Sequence, residues 1–246
     1  MNNKIALVTG GMGGIGTAIC QALSNEGATV IAAYNRDAEK AKQWHAEQQE
    51  QGHEFHIEHV NVENFASCEK LAERIYKKFS HVDILVNNAG ITQDAQLHKM
   101  DLKQWHDVLR TNLDSVFNVT RNFIEKMIEN KYGRIINISS INGQKGQFGQ
   151  SNYATAKAGM HGFTKALAQE VARKGITVNT ISPGYTATEM VKKMKPEVLE
   201  KIVAQIPVGR LGEPVEIAAA VAFLASEKSG FITGANLAIN GGQYMM

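Results

Sequence analysis

Along the 246-residue chain, short apolar runs alternate with longer stretches in which apolar positions recur every three or four residues. The apolar runs KIALVT, TVIAAY, FHIEHV, DILVN, RIINIS, ITVNTI and NLAIN each predict a strand. Helical periodicity fills the intervals, as at residues 15–25, 38–51 and 65–79. Strands with little internal alternation, separated by helices, are buried on both faces, which specifies a parallel sheet covered by helices on either side. No linker, repeat or low-complexity stretch interrupts the pattern. The expected fold is α/β, a doubly wound parallel sheet of about seven strands forming a single domain over residues 1–246.

Composition narrows the functions this fold can serve. A chain that is 43% hydrophobic and 20% charged is ordinary for a globular protein, and a net charge of +2 gives no reason to expect nucleic acid. Acidic small molecules stay compatible through local basic clusters. The longest clearly apolar run, IAAAVAFLA at residues 217–225, is much too short to span a bilayer. The start MNNKIALVTGG enters a strand without the basic and apolar segments of a signal peptide. Cys20 and Cys68 lie inside helical patterns without metal-ligand spacing, so neither a disulfide framework nor a zinc site is indicated. A cytoplasmic protein with no membrane partner is expected.

Ligands of doubly wound sheets bind outside the carboxyl ends of the strands, so the residues that follow each strand carry the chemistry. After the first comes TGGMGGIG, residues 9–16, opening a helix. Glycines there let the backbone approach a pyrophosphate, and the helix N-terminus then offers it free N–H groups. The position between the first strand and first helix makes this a Rossmann-like dinucleotide turn. The second strand ends at AAYNRDAEK, where an NAD-binding fold usually places a carboxylate for the ribose 2′-hydroxyl. Tyr34 and Asn35 occupy that point and Arg36 follows, with Lys40 and Lys42 further on, which favours a 2′-phosphate and NADP(H). Asp37 is the competing acid if the strand ends later. NNAG, residues 87–90, follows the fourth strand, and the fifth leads through Ser140 into QFGQSNYATAKAG, where Tyr153 and Lys157 share one helical face. Alone, that pair reads first as a half-buried tyrosine and a snorkelling lysine on an amphipathic helix.

With these motifs in order, the chain resembles a classical short-chain dehydrogenase/reductase over essentially its whole length. The family's TGxxxGxG turn matches Thr9, Gly10, Gly14 and Gly16, and its NNAG matches Asn87, Asn88, Ala89 and Gly90. Its catalytic residues match Asn112, Ser140, Tyr153 and Lys157. The resemblance implies cofactor contacts from Gly10, Met12, Gly13, Gly14, Ile15 and Gly16, from Arg36, Asn61 and Val62, from Asn88, Ala89 and Gly90, and from Tyr153, Lys157, Pro183, Gly184 and Thr188. Two positions depart from the pattern: Gly13 replaces a basic residue common in NADP-dependent members, and Asn61 replaces an aspartate that usually contacts adenine.

The resemblance further implies NADPH-dependent reduction of a short β-ketoacyl thioester to a (3R)-3-hydroxyacyl product by a homotetramer, with no metal. An acyl-CoA substrate, as in polyhydroxybutyrate biosynthesis, is the first expectation, and an acyl-carrier-protein thioester, as in fatty acid synthesis, is the alternative. Asp94, Gln147, Phe148, Gln150, Tyr185 and Lys195 are substrate-side candidates, each equally readable as a loop residue with local contacts. Lys99, Lys192 and Lys193 are further candidates for coenzyme A phosphates, while Lys131, Arg173 and Lys174 would suit an acidic carrier protein. A free tyrosine titrates near pH 10. An ammonium about 4.5 Å away at an effective dielectric of about 20 favours the phenolate by roughly 3–4 kcal/mol, so Lys157 is expected to bring Tyr153 towards neutral pH. Asn112 is expected, by resemblance, to hold a water beside Lys157. A non-catalytic sensor of NADP(H) would be expected to lack one of these four residues.

Overall fold

The computed structural model describes residues 1–35, 37–192 and 194–245, with the side chains of all but Met190 and Lys192. Arg36 and Lys193, two of the expected anion contacts, lie outside the described residues. The first half runs β1 (Ile5–Thr9), α1 (Gly14–Asn25), β2 (Thr29–Tyr34), α2 (Ala38–Glu50), β3 (His56–His59), α3 (Phe65–Phe79) and β4 (Ile84–Asn87). The second half begins α4 (Leu102–Leu109), α5 (Ser115–Asn130), β5 (Gly133–Ile138), α6 (Asn142–Lys145) and α7 (Ser151–Val171). It ends β6 (Ile176–Pro183), α8 (Glu189–Lys192), α9 (Pro196–Val203), α10 (Pro214–Ala225) and β7 (Asn236–Ile239). Among the described residues the strands form one seven-stranded parallel sheet in the order β3-β2-β1-β4-β5-β6-β7.

The strands read as continuous apolar runs because each face has its own core. Successive residues of a strand point to opposite faces. Ile5 and Leu7 of β1, Ile31 of β2, Leu85 of β4 and Ile135 of β5 pack with Leu71 and Ile75 of α3, Phe123 and Met127 of α5 and Val171 of α7. Their alternates Val8, Val30, Val86 and Ile136 pack on the other face with Ile19 and Leu23 of α1 and Ile217, Val221 and Leu224 of α10. Register follows, with Leu7 opposite both Ile31 and Leu85. A slip by one residue would exchange the two cores.

β7 departs from this pattern. It closes the sheet edge, and both Leu237 and Ala238 are exposed there. Among the described residues, no helix is long and apolar enough to cross a membrane.

The strand order reverses at β1, whose neighbours are β2 on one side and β4 on the other. Connections leaving these strands diverge to opposite faces, and the crevice between them is where such sheets hold ligands.

Candidate active site

The glycine turn lies at that crevice. Gly10 adopts φ +61°, and Gly13 precedes α1 with no side chain to cap it, so the first N–H groups of the helix are left for an anion. At Gly16 a Cβ would stand 2.1 Å from the Gly10 carbonyl oxygen, which restricts that position to glycine. Thr9 and Asn88 clamp the turn to the end of β4. The Thr9 hydroxyl oxygen accepts from the Asn88 and Ala89 N–H groups at 3.0 and 3.1 Å, and Asn88 Nδ2 donates to the Thr9 and Gly10 carbonyls at 3.0 Å each. This explains why the two motifs occur together.

A cleft of about 540 Å³ opens from the turn. It is lined by Gly10 and residues 13–16, by Asn88, Ala89 and Gly90, by Ser140, Tyr153 and Lys157, and by Pro183, Gly184 and Thr188. Thr188 faces Gly14, where an added Cβ would meet its side chain at 3.1 Å. Met12, Asn61 and Val62 are not in this lining. Asn61 Oδ1 accepts from Glu63 N–H at 3.1 Å, and the Val62 carbonyl accepts from Asn118 Nδ2 at 3.0 Å, so both shape the loop after β3. Asp37 is engaged as well: its carboxylate accepts from Lys40 N–H at 3.1 Å at the start of α2, and this bond holds it below the usual carboxylate range. β2 ends at Tyr34, three residues before that acid. Lys40 and Lys42 pair with Asp37 and Glu39.

Ser140, just beyond β5, and Tyr153 and Lys157, in the first turns of α7, converge on the cleft. Ser140 Oγ accepts from Asn142 N–H at 3.1 Å and lines the cleft together with Tyr153. Lys157 is only 3% exposed, and its Nζ donates to the Ile138 carbonyl at 2.7 Å. That Nζ lies 5.6 Å from the centre of the Tyr153 ring. The electrostatics correct the expectation that the ammonium brings the phenol down. Burial dominates both groups: it raises Tyr153 above its ordinary value, with a further push from Asp94 opposed by Ser140, and it pulls Lys157 down to about 7. Removing water penalises either ion more than this neighbour at this distance favours it.

Asn112 is fully buried in a π-helical turn, Arg110–Asp114, that joins α4 to α5. Its Oδ1 accepts from Ile91 N–H at 2.7 Å and its Nδ2 donates to the Ile91 carbonyl at 2.8 Å. A Cβ on Gly90 would stand 3.0 Å from Asn112 Oδ1 and 3.6 Å from Lys157 Nζ, which places the amide, the loop after β4 and the ammonium together.

The cleft mouth divides the substrate-side candidates. Asp94, Gln150 and Tyr185 line it, with Gln150 Nε2 donating to Asp94 at 2.8 Å and Gln150 Oε1 accepting from Asn142 Nδ2 at 2.8 Å. Gln147, Phe148 and Lys195 are not in the lining: Gln147 accepts from Lys145, Phe148 is 81% exposed and Lys195 is exposed at the start of α9. Lys99 is exposed outside the cleft as well.

Sequence reasoning passed over Asn152, which is fully buried beside Tyr153. Its Nδ2 donates to the carbonyls of Gln93 and Gln104 at 3.0 and 3.1 Å, and its Oδ1 accepts from Tyr153 N–H at 2.7 Å. One amide therefore ties the loop after β4 and helix α4 to the turn that carries the tyrosine. An amide next to a tyrosine has no periodic signature, because its partners are 48 and 59 residues away. Asn152→Ala removes three hydrogen bonds of a fully buried amide, two of them to half-buried carbonyls, and is expected to destabilise the fold by about 2–4 kcal/mol. Thermal and denaturant melts of the variant check it.

The fold and this cleft define a nicotinamide-dependent oxidoreductase, and the chain belongs to the short chain dehydrogenase family, whose model matches residues 4–199. It is 54% identical over 245 residues to an acetoacetyl-CoA reductase of Cupriavidus necator, covering 100% of both chains. It is 54% identical over 243 residues to an acetoacetyl-CoA reductase of Rhizobium meliloti, covering 98% of this chain and 99% of the relative. A 3-oxoacyl-(acyl-carrier-protein) reductase of Vibrio cholerae is 45% identical over 246 residues, covering 100% of this chain and 99% of the relative.

Proposed function

We propose that the protein reduces acetoacetyl-CoA to (3R)-3-hydroxybutanoyl-CoA with NADPH, as in polyhydroxybutyrate biosynthesis, through one dinucleotide-binding and catalytic domain spanning residues 1–246. The observation that carries the reaction type is the convergence of Ser140, Tyr153 and Lys157 in the cleft that begins at the uncapped N-terminus of α1. The identity to acetoacetyl-CoA reductases, higher than to the acyl-carrier-protein reductase above, favours the CoA thioester.

The glycine cradle fits a dinucleotide, because its close approach at Gly16 and its uncapped N–H groups suit a diphosphate. When bound, the nicotinamide supplies the hydride for the ketone carbon. Ser140 Oγ accepts a backbone N–H, which orients the hydroxyl whose one proton bonds the ketone oxygen. Tyr153 donates the proton that turns this oxygen into the alcohol. Lys157, at a pKa of about 7, exists in both protonation states near neutrality and can pass a proton on. Asn112 keeps one lone pair of Oδ1 beyond its bond to Ile91, enough to hold the expected water beside Lys157.

NADP(H) is favoured over NAD(H) because β2 ends at Tyr34 and Asn35 follows, while Asp37 is occupied as the cap of α2. The buried free thiols of Cys20 and Cys68 suit a reducing, cytoplasmic setting. Exposed Phe231, Leu237 and Met245 near the C-terminus support assembly into a homotetramer. A sensor that only binds NADP(H) would not need all four side chains kept and placed as they are.

The deciding assay compares kcat/KM for acetoacetyl-CoA and acetoacetyl-acyl-carrier protein, each with NADPH and with NADH. The CoA thioester with NADPH is expected to be preferred at least tenfold over every other pair. A preference for the carrier protein would move the chain to fatty acid synthesis with its reacting residues unchanged.

A further inference from the structure

At the edge of the cleft, where Ser139 contributes to the lining, four buried or half-buried polar side chains form a line of contacts that the reaction above does not use. Ser139, next to Ser140, donates from Oγ to the Lys157 carbonyl at 2.8 Å. His161, one helical turn after Lys157, brings Nε2 to 3.0 Å from Ser139 Oγ and 3.3 Å from Ser182 Oγ. Ser182, in β6, donates to Asn236 Oδ1 at the start of β7 at 2.7 Å. Ser139 and Ser182 are buried at 4% and 0% exposure, so water does not supply these bonds.

A serine hydroxyl has one proton and donates once. Ser139 uses its proton on the Lys157 carbonyl, so towards His161 it can only accept, and the 3.0 Å contact needs a proton on Nε2. This holds whichever way the Asn236 amide is turned, because Ser139 alone fixes it. The Lys157 carbonyl is also the helical acceptor for the N–H four residues on, which is that of His161. His161 thus closes a ring through its main chain and its side chain around the carbonyl of the lysine. Burial and the nearby Lys165 and Lys157 charges keep the imidazole below its ordinary value, hence neutral under assay conditions.

We propose that His161 is a positioning residue for the reduction: as the Nε2–H tautomer it orients Ser139 against the Lys157 carbonyl and so fastens α7 to the carboxyl end of β5, with Ser182 of β6 sharing the same proton at 3.3 Å, so that the Lys157 amine is held in the cleft. The role at the amine rests on the reading of Tyr153 and Lys157 given above, whereas the tautomer does not.

The test combines spectroscopy with kinetics. Long-range ¹H–¹⁵N correlations on the wild-type protein at pH 8 identify the His161 signals as those lost in His161→Gln. The expected pattern is a protonated Nε2 and a bare Nδ1, and the reverse pattern overturns the proposal. In steady-state assays with NADPH, His161→Leu is expected to lower kcat about tenfold, with KM for the thioester changed less than twofold. His161→Gln, which keeps an N–H donor on a side chain of similar reach, is expected to recover kcat to within about threefold of wild type. A His161→Leu enzyme within twofold of wild type, or a His161→Gln enzyme as slow as His161→Leu, overturns the positioning role. If the wild-type protein turns over no β-ketoacyl thioester, the functional reading fails instead, and the tautomer is still decided by the spectrum.

Discussion

Tyr153→Phe is expected to lower kcat/KM for acetoacetyl-CoA about 10³-fold, within the roughly 10²- to 10⁴-fold contribution of a positioned general acid. The change removes one oxygen, keeps the ring that packs 5.6 Å from Lys157 Nζ, and leaves the glycine turn and the Asn88 clamp untouched. Affinity for NADPH should therefore stay within about threefold of wild type, apart from the loss of one hydrogen-bond donor. The measurement is steady-state kinetics beside a fluorescence titration of the cofactor. Unchanged turnover would remove Tyr153 as the acid, and loss of cofactor binding would assign it a binding role instead. Because burial holds the phenol above its ordinary value, Tyr153 is protonated at neutral pH and already in the form that reduction requires. Oxidation of the alcohol needs the opposite form and should gain rate with rising pH.

Lys157→Met is expected to have two large effects of opposite sign. Activity should fall at least 10²-fold, since the amine beside Tyr153 is lost. Stability should rise at low pH. In the folded protein this lysine takes up its proton only below about 7, against 10.5 for an unperturbed lysine. Between those values the unfolded chain binds more protons than the folded one, so this group's contribution to stability rises with pH through the window and is least favourable below 7. The burial penalty is on the order of 4–5 kcal/mol below pH 7. Loss of the bond to the Ile138 carbonyl offsets about 1–3 kcal/mol of the gain on substitution. The variant should melt about 4–10 °C above wild type at pH 6, and at or below wild type at pH 10. Melting curves at both values check this, and a difference that does not change with pH would mean that the ammonium is not desolvated.

Much of the architecture was legible because it depends on local patterns. β2 and α3 begin and end where the apolar spacing places them, and the other strands differ at their ends by one or two residues. Ser140, Tyr153 and Lys157 were legible because each follows a strand or opens a helix that the pattern already locates. Phe148 and Gln147 sit beside the same helix and were indistinguishable from Gln150 by type or spacing. Only Gln150 turns into the cleft mouth, where its Nε2 donates to Asp94, 56 residues away, and its Oε1 accepts from Asn142.

By itself, then, the sequence determined the parallel sheet, the glycine turn and which side chains follow the strands into the crevice, since periodicity of two or 3.6 and the needs of a tight turn act over a few neighbouring residues. The tertiary structure decided their electrostatics and their supports. Lys157 owes its low pKa to burial, and Asn152, Asn112, Ser139 and His161 owe their orientations to partners whose approach no local pattern encodes. Desolvation and long-range hydrogen bonding exist only once strands and helices far apart in the chain have packed around the same crevice.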